Sequence, residues 1–137
     1  MKTLLKHIFL LYLLVLSPFA FAQIPDTQHS QGISYISGGV GEEETLAILA
    51  EAKQWPLLLE LSQIENGRGI WIFGATIKVI NTKQQTIFDA QADGPYMLIN
   101  LDSGEYSIEA SYQGIQQKRS ISIKKAGSPQ KISLFWK

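Results

Sequence analysis

Short segments that alternate apolar and polar residues dominate the chain after residue 56 and restrict what it can fold into. In residues 106–112, for example, tyrosine, isoleucine and alanine alternate with serine and glutamate, which is the period of two expected of a strand. Turn dipeptides separate the segments, among them Asn66-Gly67 and Asp93-Gly94, and Asn-Gly is a strong hairpin signal. About seven short strands at such spacing predict a mainly β protein with an antiparallel β-sandwich fold.

One helix is predicted in front of these strands, over residues 42–55. Glutamates occupy its first turn, where they suit the positive end of the helix dipole, and Pro56 ends it. On a helical wheel the apolar residues cover a broad arc, so we expect this face to pack on the sandwich. The arc consists of Leu46, Ile48, Leu49, Ala50, Ala52 and Trp55.

The first 22 residues have the pattern of a signal peptide. Lys2 and Lys6 precede the apolar run of residues 8–16, and Ala20 and Ala22 form the small-x-small pattern before a cleavage site. We expect export, most simply to the periplasm with secretion as the alternative, and no stable membrane insertion after cleavage. The apolar run is short for a membrane span, which needs about 20 residues.

The rest of the chain is predicted to form one domain. Residues 23–31 are polar and read as a flexible leader, and residues 32–137 as a single sandwich domain. The chain contains no cysteine, so packing alone must hold the fold. It has 12 basic and 12 acidic residues, and loss of Lys2 and Lys6 leaves a small acidic excess. We therefore expect no nucleic-acid partner, which usually requires a basic face.

The segment 70–80 is predicted to be one continuous strand with a bulge or bend at Gly74. The alternation places Trp71 and Phe73 on the same face as Ala75, and this face is predicted to lie in the core. Ile70, Ile72 and Phe135 fall on the opposite faces of their strands. We expect the helix to cover them; the alternative is an exposed patch for a partner.

Several motifs in the second half of the chain match a family pattern. They are "GATI" (residues 74–77), the turn Asp93-Gly94, an apolar strand, the corner "LDSGEY" (residues 101–106) and the strand that ends at Gly114. Residues 68–136 resemble a carboxypeptidase regulatory-like domain, a sandwich of the prealbumin (transthyretin) type, although Asp102 and Ser103 replace the usual prolines of the corner. With the helix in front, the chain is similar to small exported proteobacterial proteins of this type, and the resemblance implies no reaction.

The corner also has a physical interpretation that does not depend on the family. Gly104 gives the backbone freedom, and Tyr106 can return its hydroxyl group to a nearby backbone group, as in the tyrosine corner of Greek-key sandwiches. Gly94 is assigned a structural role in its turn. These residues are therefore predicted to be structural rather than catalytic.

The stretch "ISGGVGEEET" (residues 36–45) invites a functional reading. Its glycine spacing matches neither a P-loop nor a dinucleotide motif, and the three glutamates that follow would repel a phosphate. We predict a sharp strand-to-helix turn at Gly39 and Gly41. The remaining functional role is a partner surface on the helix face of Glu43, Glu44 and Glu51.

No constellation of residues predicts catalysis, a cofactor or a metal site. Past the predicted signal peptide the chain has a single histidine, His29, and no cysteine, so zinc binding and nucleophilic catalysis lack their usual residues. We expect a non-catalytic, exported binding or interaction module of the bacterial envelope, with a small ligand or an envelope protein as partner. The alternatives are an accessory subunit that pairs through a sheet edge and a small carboxylate-dependent hydrolase.

Overall fold

The computed structural model describes residues 23–124 and 129–137, so the predicted signal peptide lies outside the described residues. Within these ranges the structure has ten strands and one α-helix. The helix is α1 (Glu42–Glu51), and a 3₁₀ turn, Ala52–Gln54, continues it. The strands are β1 (Gln28–Ser30), β2 (Ile33–Gly38), β3 (Leu57–Glu65), β4 (Arg68–Trp71), β5 (Thr76–Ile80), β6 (Thr86–Gln91), β7 (Tyr96–Ile99), β8 (Gly104–Tyr112), β9 (Ile115–Ile123) and β10 (Gln130–Trp136).

Two sheets pack face to face, which confirms the predicted β-sandwich. The first sheet has the order β1-β2-β7-β3-β10, with β4 also paired to β3, and the second has the order β6-β5-β8-β9. The core between them is apolar and completely buried at its centre. Its largest fully buried side chains include Leu59, Ile77, Phe88, Met97 and Ile108. Burial of such side chains contributes about 1.5–3 kcal/mol each, so packing supplies the stabilisation that disulfides supply elsewhere.

The helix covers part of the outer face of the first sheet. Ile48 of α1 and Ala52 of the 3₁₀ turn pack on Ile36, Leu58 and Leu98, and these five residues belong to a second, smaller core. The helix begins at Glu42 as predicted, but the α-helical hydrogen bonding ends at Glu51, before Trp55 becomes extended ahead of Pro56. Leu46 was expected to face inward and is instead exposed, because the covered face is narrower than the apolar arc.

The prediction of one strand over residues 70–80 was wrong. The segment forms two strands in different sheets, β4 in the first and β5 in the second, and Gly74 with φ of 82° lies where the chain crosses between them. The crossing changes which residues face the core. Ala75 and Ile72 are buried, whereas Trp71 and Phe73, which the alternation placed in the core, are exposed.

Two further features differ from the prediction. The polar segment 23–31, expected to be a flexible leader, contains β1, which pairs antiparallel with β2; backbone pairing does not require apolar side chains. The sandwich is also not entirely antiparallel, because β10 pairs with β3 in parallel over the register Gln130↔Leu57 to Trp136↔Gln63. Strands β3 and β10 are thus neighbours in the sheet, although their paired residues lie more than half of the sequence apart.

Candidate functional site

The glycine turn before the helix is filled by the protein's own carboxylate. Gly39 has φ of 100°, and Gly41 has φ of 85° with ψ of 162°, a region essentially restricted to glycine. Oε1 of Glu44 accepts hydrogen bonds from the backbone N–H groups of Gly39 (2.9 Å) and Val40 (3.3 Å). Amide groups exposed in such a turn can bind an anion. Here an internal carboxylate takes that position, so the turn is part of the fold.

The predicted partner face on the helix is only partly free. Glu43 is exposed. Glu44 is held in the turn, and Oε1 of Glu51 accepts a hydrogen bond of 3.1 Å from the indole N–H of Trp55. An open depression of about 390 Å³ lies beside the turn and is lined by Gln23 and residues 40–44. Two of these three glutamates therefore have partners within the chain, and a partner surface on this face stays a prediction.

The other residues singled out in the sequence lie in structural positions. Tyr106 donates a hydrogen bond of 2.9 Å to the backbone carbonyl of Asp102. Burial, and to a lesser extent the side-chain carboxylate of Asp102, raises the pKa of the Tyr106 hydroxyl group. Gly104 has a positive φ of 155°, which L side chains rarely adopt. Gly94 has a different reason to be glycine, because a Cβ atom there would collide with the carbonyl group of Gly38. These contacts hold turns together and point to no ligand.

Three aspartates that a carboxylate-dependent hydrolase could use lie at separate places. Asp89 is on β6, Asp93 lies in the turn before β7, and Asp102 lies in the turn before β8, and all three are exposed. Among residues 23–124 and 129–137 there is no group of three or more histidine, cysteine, aspartate or glutamate side chains that could hold a metal ion.

The outer face of the first sheet has an apolar part that the helix does not cover. Trp71 on β4 lies opposite Ser62 on β3, and Ser62 lies opposite Phe135 on β10. Paired residues share a face, so both aromatic rings stand on the outer face, two strand spacings or about 10 Å apart. Ile64 follows Ser62 on the same face. Trp71 is 50% exposed, Phe135 46% and Ile64 37%; we call these three residues the outer stripe.

The outer stripe is bounded on the side of the helix. The ring of Trp71 lies 6.3 Å from the ring of Tyr96, whose side chain is buried beneath the helix. Nζ of Lys131 and Oε2 of Glu60 form a salt bridge of 2.8 Å, and its hydrogen bond raises the pKa of Lys131. The salt bridge and the helix thus confine the outer stripe to the end of the sheet where β4 pairs with β3.

Strand β4 also leaves one edge of the sheet open. Among the strands of residues 23–124 and 129–137 it pairs only with β3, through a hairpin whose turn residues, Asn66 and Gly67, both have positive φ. In a hairpin with a two-residue turn, the flanking pair is hydrogen-bonded and the bonding then alternates. Arg68 and Ile70 therefore bond to β3, whereas the N–H and C=O groups of Gly69 and Trp71 point away from the sheet. No backbone partner for them is found within the described part of the chain.

The outermost strands of the two sheets are protected, which sets β4 apart. The hydroxyl of Ser30 on β1 donates to the carbonyl of Asp89 on β6 and accepts from its N–H, both at 2.9 Å. On the opposite side, the indole of Trp136 donates to the carbonyl of Ile115 (2.9 Å), and Gln117 donates to the carbonyl of Phe135 (2.6 Å). These side chains use backbone groups that a foreign strand would need.

Sequence reasoning expected the helix to cover Phe135 and Ile70, which was wrong because both are exposed, and an exposed patch was only the alternative. It missed Trp71 because it assigned Trp71 to the core. Two signals in the sequence favour the observed arrangement. The hairpin turn at Asn66-Gly67 fixes the register of β4, and Gly74 marks the point where the chain leaves the sheet. Phe135 joins the stripe only through the parallel pairing of β10, for which the sequence has no local signal.

No protein-family model matches the chain, and no curated protein matches it. Within the described ranges, the helices are too short and too polar to cross a lipid bilayer.

Proposed function

We propose that this protein is a non-catalytic binding module of the bacterial envelope that holds its partner at the outer stripe and the open edge of β4. The observation that carries the proposal is their coincidence: Trp71 belongs to the stripe, and its backbone belongs to the open edge. An apolar patch on a sheet edge is avoided in most proteins because it promotes association. The patch lies on an open edge, whereas side chains bond to backbone groups of the outermost strands, and this contrast favours a role in binding.

The surface has the composition of a binding site. Interfaces are enriched in aromatic side chains, and their strongest contributors are tryptophan, tyrosine and arginine. Trp71 and Phe135 supply two aromatic rings, and Ser62 between them supplies a polar group on the same row. Phe73, two residues after Trp71 in the chain, is also exposed, at 55%.

The open edge supports a more specific variant of this function, in which the protein is an accessory subunit that pairs through β4 with a larger envelope protein. Addition of a strand to a sheet edge is a common mode of recognition, in which backbone hydrogen bonds supply affinity. The export signal in residues 1–22 and the resemblance to carboxypeptidase regulatory-like domains support this location and type.

The test is capture of a partner from envelope extract by the mature chain, residues 23–137, followed by titration of the purified partner. Trp71→Ser removes the largest ring of the stripe, and the matched control Ile115→Ser changes a residue of similar exposure at the hairpin between β8 and β9. A central interface tryptophan contributes about 2 kcal/mol or more, so we expect Trp71→Ser to weaken binding about 30-fold. Binding that survives Trp71→Ser, or that is lost equally in Ile115→Ser, would contradict the proposal.

A further inference from the structure

The open edge of β4 lies within a slot of defined length. Strand β4 and strand β7 lie end to end along β3, since β3 pairs with β4 through Ser62–Glu65 and with β7 through Leu57–Glu60. Beyond β7 lies β2, which ends at Gly38 opposite Tyr96. A strand added beside β4 would therefore continue the line of β2 past Gly38. The slot is as long as β4, about four residues, and extends from the hairpin turn to the turn at Gly39.

One position in the slot has room for a large side chain. Gly69 lies on the outer face between Ile64, its partner on β3, and Trp71, two residues along β4. A Cβ atom built on Gly69 would have no neighbour within 4 Å. The surface at Gly69 is thus a gap flanked by two exposed apolar side chains. A large apolar residue on a neighbouring strand packs favourably over such an edge glycine.

The turn at Gly39, which bounds one end of the slot, leads into acidic residues. The ring of Trp71 contacts Tyr96, whose ring lies against Gly39, and Gly39 is bonded to Glu44 in the turn that begins α1. Glu42 and Glu43 are exposed in the same turn and form no salt bridge within the described ranges. Their charge favours a basic residue at the end of the added strand that approaches the turn.

We propose that β4 accepts an extended segment of a partner protein as an additional strand, with a large apolar side chain over Gly69 and a basic residue beside Glu42 and Glu43. This inference rests on the proposed function and specifies the chemistry of its partner. The outward N–H and C=O groups of Gly69 and Trp71 supply the backbone hydrogen bonds. Ile64 and Trp71 supply the apolar contacts, and the acidic turn sets the direction of the segment.

The experiment uses capped synthetic octapeptides that alternate threonine with phenylalanine, leucine or valine and carry lysine at one end or the other. They are added to the mature chain, residues 23–137, at up to about 1 mM, where even weak specific binding is visible. Backbone amide exchange is followed by NMR. We expect the amides of Gly69 and Trp71 to exchange at least about tenfold more slowly with peptide, while that of Ile70, already bonded to β3, changes little.

Two changes to the peptide test the mode of binding. N-methylation of alternate residues removes N–H groups from one edge of an extended peptide, so methylation on the edge that faces β4 should abolish binding and methylation on the other edge should not. Replacement of the lysine by glutamate should weaken binding, and the double variant Glu42→Gln and Glu43→Gln should remove the preference for lysine. Methylation on either edge having the same effect would overturn strand addition.

The outcomes separate this inference from the proposed function. If Trp71→Ser abolishes capture of the partner but no peptide and no captured partner protects the amides of Gly69 and Trp71, the binding surface stands and strand addition fails. A different result is that these amides become more protected in the free protein as the protein concentration rises, and that ultracentrifugation shows a dimer. That result would make the edge an interface between two copies and overturn the inference. Binding of a soluble oligosaccharide to the stripe without amide protection would also overturn it.

Discussion

The contact between Glu44 and the glycine turn yields a quantitative prediction. Oε1 of Glu44 accepts a partly buried hydrogen bond of 2.9 Å from the backbone N–H of Gly39 and a longer, exposed one of 3.3 Å from that of Val40. Hydrogen bonds to a charged group contribute about 1.5–3 kcal/mol when well formed. We assign about 1.5 kcal/mol to the first bond and about 0.5 kcal/mol to the second, because solvent competes for it. Glu44→Ala should therefore lower the free energy of unfolding by about 2 kcal/mol.

Two further variants separate the hydrogen bonds from the charge. Glu44→Gln keeps an oxygen acceptor but loses its charge, and neutral bonds are about half as strong, so the expected loss is about 1 kcal/mol. Glu43→Gln removes an exposed charge from the same helix turn and should lose only the helix-dipole contribution, about 0.3–0.5 kcal/mol.

The measurement is equilibrium unfolding in urea of residues 23–137, with the free energy of unfolding obtained by linear extrapolation. The predicted order of stability is wild type, Glu43→Gln, Glu44→Gln and then Glu44→Ala. Equal stability of Glu44→Gln and Glu43→Gln would refute the reasoning, because it would mean that the carboxylate acts only through the helix dipole and that its bonds to the turn contribute nothing.

Two other predictions concern the core and its tyrosines. Gly94→Ala should lower the free energy of unfolding by about 2–3 kcal/mol in the same urea assay, since the new methyl group meets the paired backbone of Gly38, whereas Gly69→Ala, which meets no atom, should change it by less than about 0.5 kcal/mol; similar losses in both variants would contradict a steric cause. Burial raises the pKa of three tyrosines above the ordinary value of 10.0, so the folded state favours their neutral form. Their contribution to stability is complete below pH 10.0 and is lost as the pH rises through the pKa values of the tyrosines in the folded state. Ultraviolet titration of the tyrosines, combined with urea unfolding at each pH, should detect this loss. Ionisation of all tyrosines near pH 10.0 without loss of stability would contradict the prediction. These residues are Tyr35, Tyr96 and Tyr106.

The sequence by itself determined the elements that depend on local chemistry. Alternation and turn dipeptides predicted the sandwich, and the Asn66-Gly67 hairpin is present. The start of the helix at Glu42 and the positive φ of Gly39 follow from the glycine-glutamate stretch. Each of these features is fixed by residues within a few positions of one another, so backbone preferences and side-chain periodicity suffice to predict it.

Only the tertiary structure decided where the candidate binding surface lies. Alternation assigns residues to two faces of a strand but does not say when the chain leaves one sheet for another, and the crossing at Gly74 turned Trp71 outward. Phe135 stands on the same row as Trp71 because β10 pairs in parallel with β3. Such pairing is selected by the burial of Leu134 and Trp136 against the whole core. It is a property of the packed chain, and no local pattern encodes it.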